Sequence, residues 1–191
     1  MYENLIKYCK SFVEIDEASE EDLQSNFLPK KINKKEFLLK EGKICNMVAY
    51  VDKGTMRIFH TIDGNELTCD IILENSFVTD FKSLNNGEAS VINIQAIDDC
   101  ELLIIDKFDL IKLYDTNKHI ERLGRIMAEK IAIRTIEIAA SLSFDKPEMR
   151  FKKLLSTQPE LFQKVPQKYL ANILGISPES LSRIKARKNL T

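Results

Sequence analysis

VPQKYLANILGISPESLSRIKARK, residues 165–188, is the stretch from which the rest of the chain is best read. Pro166 can open a helix in which Leu170, Ala171 and Leu174 fall on one side, at i, i+1 and i+4. Gly175 follows at once, where a helix end favours a residue that tolerates positive φ. Ile176 supplies the apolar residue of the turn. Ser177 can then cap a second helix, with Pro178 at its first position, where the missing N–H costs nothing. That helix buries Leu181 and Ile184, three residues apart. Counted from Gln167, apolar or small residues occupy positions 4, 5, 8, 10, 15 and 18, with glycine at 9. Ala171 allows the helices to cross closely, and the apolar positions form the wedge between them. The spacing predicts a helix-turn-helix over about 167–188, whose second helix suits the major groove of DNA.

The expected DNA-binding set is Gln167, Lys168, Ser177, Glu179, Ser180, Ser182, Arg183, Lys185, Arg187 and Lys188. Glutamate can accept from cytosine N4, and arginine can clamp guanine O6 and N7. Lys168, Lys185, Arg187 and Lys188 suit phosphates, which give salt-dependent affinity without reading sequence. Charge supports the placement. Residues 146–191 hold ten lysines and arginines against three acids, net +7, whereas the first 145 residues hold 18 against 26, net −8. Only the C-terminal piece is expected to meet a polyanion.

Upstream of that unit the texture changes twice. Residues 1–28 read as helical, with apolar Leu5, Ile6, Phe12, Val13, Leu23 and Phe27 among acids. From about 30 to 106, short apolar runs alternate with turn signals. Among these signals, Asp63-Gly64 between two runs is the strongest for a tight hairpin. A polar break spans 82–90, and strand-like runs follow at 91–97 and 101–105. Short strands at this spacing imply a small antiparallel barrel or sandwich. From about 107 to 143 the pattern is helical, with a break near 114–117 and a long helix over 118–142. Its apolar residues occupy more than one stripe, so it must be covered on more than one side. A dimer seam through Ile120, Leu123, Met127, Ile131 and Ile138 would do this. The expected organisation is a sensor domain at 1–117, the long helix at 118–142, a hinge at 143–147 and a DNA-binding domain at 148–191.

These features in this order resemble the Crp/Fnr superfamily of transcriptional regulators. The resemblance rests on KKEFLLKEGKICNMVAYVDKGTMRIF (34–59), IQAIDDCELLIID (94–106) and LANILGISPESLSRIKARK (170–188). PEMRFKKLL (147–155) and LGISPESLSRI (174–184) look most like the short members of Bacteroidetes type. The resemblance implies an α+β fold: an N-terminal double-stranded β-helix (a β-roll or jelly-roll) as sensor, a long dimerisation helix, and a C-terminal winged-helix-like helix-turn-helix. It also implies a cytoplasmic homodimer on a roughly palindromic DNA operator, with RNA polymerase as a further partner. Recognition helices of the family read Ser-Arg-Glu-Thr-Val-Gly-Arg. Ser177, Glu179, Ser180 and Arg183 match that pattern, while Pro178 replaces its first arginine, so the operator is expected to differ. Nucleotide-binding members hold the cyclic phosphate with a Gly-Glu pair and a later Arg-Ser or Arg-Thr pair. The corresponding stretch is SFVTDFKSLNNGEASVINIQA (76–96), which puts Ser90 at the arginine position. No arginine occurs between Arg57 and Arg122, so cyclic AMP and cyclic GMP are not expected as effectors. A pocket for an unknown small-molecule effector is expected around Phe77, Thr79, Lys82, Glu88 and Ser90.

Other classes fare less well. A cupin enzyme needs a His/His/Glu metal set, and the chain holds only His60 and His119. No catalytic triad, phosphate loop or dinucleotide fingerprint is present, so neither an enzyme nor a cofactor is expected. Cys9, Cys45, Cys69 and Cys100 are isolated, which suits buried or incidental thiols rather than a cluster or disulfide framework. No apolar run is long enough for a membrane span, and the opening residues lack the pattern of a secretion signal. The competing reading is a ligand-sensing or protein-interaction module whose helix-turn-helix is degenerate.

Overall fold

The computed structural model describes residues 1–187; Lys188, expected at a DNA phosphate, lies outside the described residues. The N-terminal helical region is two helices, α1 (Tyr2–Lys10) and α2 (Glu17–Asn26). The break has a local cause: the Asp16 carboxylate accepts from the Ser19 N–H at 2.9 Å and caps α2.

Eight strands follow: β1 (Leu28–Ile32), β2 (Phe37–Leu39), β3 (Met47–Lys53), β4 (Met56–Ile62), β5 (Asn65–Ile72), β6 (Ser76–Val78), β7 (Asn93–Ala96) and β8 (Cys100–Asp106). They form two antiparallel sheets ordered β1-β8-β3-β6 and β2-β7-β4-β5. The β4–β5 hairpin closes on Asp63 and Gly64, both at positive φ, and pairs Ile62 with Asn65. Strand β8 explains its own unbroken apolar run. Leu102 packs between the sheets with Val51, Met56 and Ile94, while Leu103 and Ile105 face a second core on the other side. The polar stretch 82–90 is not all loop. Asp80 accepts from the Lys82 and Ser83 N–H groups at 3.1 Å and starts α3 (Phe81–Asn86), which Gly87 ends.

The second core joins the roll to its helices. Tyr50, Leu103 and Ile105 meet Leu5 and Cys9 of α1, Leu23 of α2, Leu110 and Leu113 of α4 (Lys107–Thr116), and Ile120 and Leu123 of α5. Helix α5 (Lys118–Phe144) begins at the expected break. The Asn117 side chain accepts from the His119 and Ile120 N–H groups and donates to Asp22 at 2.7 Å.

This placement corrects the expected dimer seam. Ile120 and Leu123 are 2% and 4% exposed within the chain's own core, and Met127 packs half-buried against it. Ile131 and Ile138 lie on the same stripe further along, exposed but turned toward two cavities. Periodicity marks an apolar stripe without saying which neighbour covers it. The more open apolar face is another one, with Ile136 at 68% exposure and Ile133, which also edges the cavity beside Ile138, at 58%.

The hinge is shorter than the expected 143–147. Helix α5 runs through Phe144, and α6 (Pro147–Thr157) starts after two residues. Helices α7 (Leu161–Lys164), α8 (Gln167–Ile173) and α9 (Pro178–Arg187) complete the C-terminal unit. Among the described residues no strand follows Asp106 and this unit is helical; its third core is formed by α6–α9 and Val165 with Ile71 of β5, and Leu73 and Ile97 pack against it. No helix of the described residues is long and apolar enough to cross a membrane.

Of the four free thiols, Cys9, Cys45 and Cys100 are buried and Cys69 is exposed. Burial pushes the Cys9 and Cys100 thiols up to about 12, and burial with Asp70 alongside pushes Cys69 up to about 11. Alkylation of the native protein at pH 8 is therefore expected at Cys69 alone, and slowly, because thiolate is scarce. Peptide mass mapping that finds Cys9 or Cys100 modified first would contradict the core described above.

Candidate nucleic-acid interface

Helix α8 buries Leu170 and Ala171, with Leu174 at its C-cap, as the spacing predicts. The turn closes with two hydrogen bonds. The Gly175 N–H donates to Asn172 O at 2.9 Å, and the Ile176 N–H donates to Ala171 O at 3.0 Å. Gly175 has φ +62°, and a Cβ there would stand 2.9 Å from Leu142 Cδ2 of α5. Only glycine satisfies both the left-handed turn and this close approach.

Ser177 caps α9 by accepting from the Ser180 N–H at 3.2 Å, and Pro178 takes the first helical position. Leu181 and Ile184 are buried against α8, leaving the opposite face of α9 open. Glu179, Ser182, Arg183 and Arg187 are exposed there, with Ser180 and Lys185 half-buried. Ser177 and Ser180 hydroxyls lie 3.2 Å apart, and Arg183 Nη2 donates to Ser180 Oγ at 3.1 Å. The Glu179 backbone N–H, then the Ser177 hydroxyl, then Arg183 hold the Glu179 carboxyl below the usual carboxylate range. It therefore stays ionised as an acceptor at neutral pH. Gln167 and Lys168 are exposed on the first turn of α8, and Ser177 is exposed at the start of α9. Lys185 Nζ lies 5.7 Å from the Phe162 ring, so it braces α7 besides bearing charge.

Several residues that position this unit carry no motif. Arg150 of α6 donates from Nη1 to Asp145 O at 2.5 Å and from Nε to Leu174 O at 2.8 Å, tying the hinge to the helix-turn-helix. Arg57 of β4 is 3% exposed, its guanidinium 3.9 Å from the Phe59 ring and 4.3 Å from that of Tyr169 on α8. It donates to Gln95 at 2.9 Å and Glu66 at 2.7 Å, while its Nη1 is buried without a partner. Asn172 accepts from the Thr68 N–H at 3.2 Å, and Lys164 pairs with Glu74 at 3.4 Å. The first helix of the helix-turn-helix is thus docked on the outer face of the β4–β5 hairpin. The lone charged residue within the apolar run Met56–Phe59 was the one sequence signal for this dock.

The five expected pocket residues are only partly gathered: Phe77 and Thr79 line one cavity, and Lys82, Glu88 and Ser90 lie outside it. Phe77 stacks edge-on with Tyr50 at 5.4 Å, and the Thr79 hydroxyl donates to Met47 O at 2.8 Å. Lys82 and Glu88 pair with each other at 3.7 Å on the surface. The Ser90 hydroxyl is buried and spent on the backbone of Ile92. Aligning residue types along a cassette located the segment but not where its side chains go.

Residues 29–117 match the family model of the cyclic nucleotide-binding domain. CLP, the c-di-GMP responsive global regulator of Xanthomonas campestris, superposes with TM-score 0.70 at 20% identity, over 91% of this chain and 92% of its own. FixK2 of Bradyrhizobium japonicum superposes at 0.71 and 16% identity, over 84% and 83%. The catabolite activator protein of Thermus thermophilus does so at 0.58 and 20%, over 93% and 87%. At these identities the likeness is one of fold. No curated protein matches the chain.

The matched segment does not fit a cyclic phosphate. Between Arg57 and Lys107 the only lysine or arginine is Lys82, and Glu88 pairs with it in the open. Asp80, the nearest acid, is occupied in capping α3. A phosphodiester there would lose its water without gaining a bidentate counter-charge.

Tyr169→Ala should unseat α8 from the roll by leaving the buried Arg57 half-covered. The expected cost is about 2 kcal/mol, from lost aromatic area and a desolvated cation–π contact. Chemical denaturation measures it, and a cost below about 0.5 kcal/mol would show that the dock contributes little.

Proposed function

We propose that the chain is a sequence-specific DNA-binding transcriptional regulator of the Crp/Fnr type. It acts in the cytoplasm as a homodimer on a roughly palindromic operator and does not answer to cyclic AMP. The observation that carries this reading is the open face of α9, where Glu179, Ser180, Ser182 and Arg183 stand together on a capped helix. Arg183 is pre-positioned by Ser180, which reduces the ordering cost of a bidentate contact to guanine. Gln167, Lys168 and Arg187 are assigned to the phosphate backbone, and RNA polymerase is the further partner such a regulator needs.

The dimer seam is assigned to the open face of α5, through Ile133 and Ile136 with the small residues Ala132, Ala139 and Ala140. Small residues between large ones let two helices approach closely. Ile136→Lys is expected to shift the protein to monomer in sedimentation without loss of helicity. Ile120→Ala is expected to cost about 2–4 kcal/mol of stability with the seam intact. The opposite pattern would return the seam to the Ile120 stripe.

A salt-titrated binding assay on genomic fragments upstream of the chain's own gene tests the DNA reading. Arg183→Ala should cost about 1–3 kcal/mol and relax sequence preference, whereas Lys168→Ala should weaken all sequences alike and flatten the salt slope by about one. No preference among fragments at any salt would overturn the proposal. Calorimetry with cyclic AMP should give no binding at micromolar concentration, and saturable heat there would refute the assignment of the cassette.

A further inference from the structure

We infer that the cavity between α3, α4 and α5 is a binding site for a neutral, apolar molecule of about one aromatic ring, carrying at most one hydrogen-bond acceptor. The cavity has a volume of about 170 Å³. Its walls are Phe27, Phe77, Leu84, Leu110, Leu123 and Met127, drawn from four elements and the link between α2 and β1. It exists because α5 presents Gly124 and Ala128 one turn apart, just where α3 and α4 diverge. Neither residue fills the space, and a Cβ on Gly124 would stand 2.4 Å from the Tyr114 hydroxyl. Tyr114 can therefore lie across α5 and roof one end.

The chemistry of the walls sets the ligand class. No carboxylate lines the cavity, and its one cation is already engaged, because the Lys107 amine bonds to the Leu84 carbonyl. The Thr79 hydroxyl donates to Met47 O at 2.8 Å, so it has no proton to offer. Tyr114 is the inner donor that remains, the Asn85 amide standing exposed at the mouth, and burial pushes its phenol above the usual range, so it stays protonated. A charged ligand would lose hydration with no free counter-charge to replace it. An apolar ring loses little, and the size is right: an apolar cavity of about 150 Å³ engineered into another protein stays dry and takes up benzene. Phe81, Ile111 and Ile131 stand half-open at the rim, 44%, 47% and 43% exposed, which leaves an entry path. None of Lys82, Glu88 and Ser90 lines this space, so it is separate from the position a cyclic phosphate would take. The inference stands whether or not the chain binds DNA.

Methyl NMR of the full chain titrated with phenol, toluene and benzoate tests it. Saturable shifts are expected at Ile120, Leu123 and Met127 with phenol and toluene, and binding at least tenfold weaker with benzoate. Ala128→Leu, which puts a side chain into the space, should abolish the shifts while the melting temperature holds or rises. Should that variant fail to fold, the wild-type shifts and their dependence on protein concentration decide. No saturable shift, shifts centred elsewhere, or benzoate binding as well as phenol would each overturn the inference. So would shifts that vanish as the protein associates, since a second copy would then be the occupant.

Discussion

The first two turns of α5 are built into the sensor core. Ile120 and Leu123 are packed with Tyr50, Leu103 and Ile105, and the Asn117 cap is itself bonded to α2. A helix rooted in this way cannot roll about its axis without opening a core that also holds α1, α2 and α4. Everything beyond it inherits that orientation. The turn of the helix-turn-helix rests on Leu142 near the far end of α5, and Arg150 locks the short hinge across that contact. The roll then reaches back to α8 through Arg57 and Thr68. The C-terminal unit is thus held by the far end of α5 on one side and by the β4–β5 hairpin on the other.

Electrostatics follow the same division. The acidic N-terminal part and the basic C-terminal part meet along β5, where Glu74 pairs with Lys164 and Asp70 with Arg134. Burial raises the Asp70 carboxyl above its usual range even though Arg134 at 2.5 Å opposes the shift. Desolvation outweighs the pairing there, so the contact orients α5 more than it stabilises it. Part of the basic charge counted in the sequence is consumed inside the molecule. Lys164 belongs to the dock, and Lys185 is partly engaged with Phe162. Lys168 of α8 and Arg183 and Arg187 of α9 are exposed.

What could be read from the sequence depended on how local the governing constraint is. The helix-turn-helix is specified by residues within 20 positions of one another. Gly175, Ser177 and Pro178 each have one steric or hydrogen-bonding use, and the structure uses them so. The Asp63-Gly64 hairpin was legible for the same reason. Helix α3 was not, because its cap Asp80 and its one large buried side chain, Leu84, look like a polar loop when taken alone. The long helix was legible as a helix, yet its covered face was not. Two apolar stripes are equivalent until β3 and β8 place Tyr50 and Leu103 against one of them. Arg57, 112 positions from Tyr169, was beyond any local rule.

The anchoring of α5 has a mechanical consequence. At 27 residues the helix is about 40 Å long, rooted at one end and carrying the helix-turn-helix at the other. It is a lever. A tilt of about 5° at its root would move the far end by about 3.5 Å, close to the rise of one base pair. A displacement too small to unpack the core around Ile120 is therefore large enough to carry α8 and α9 several ångströms across the molecule's surface.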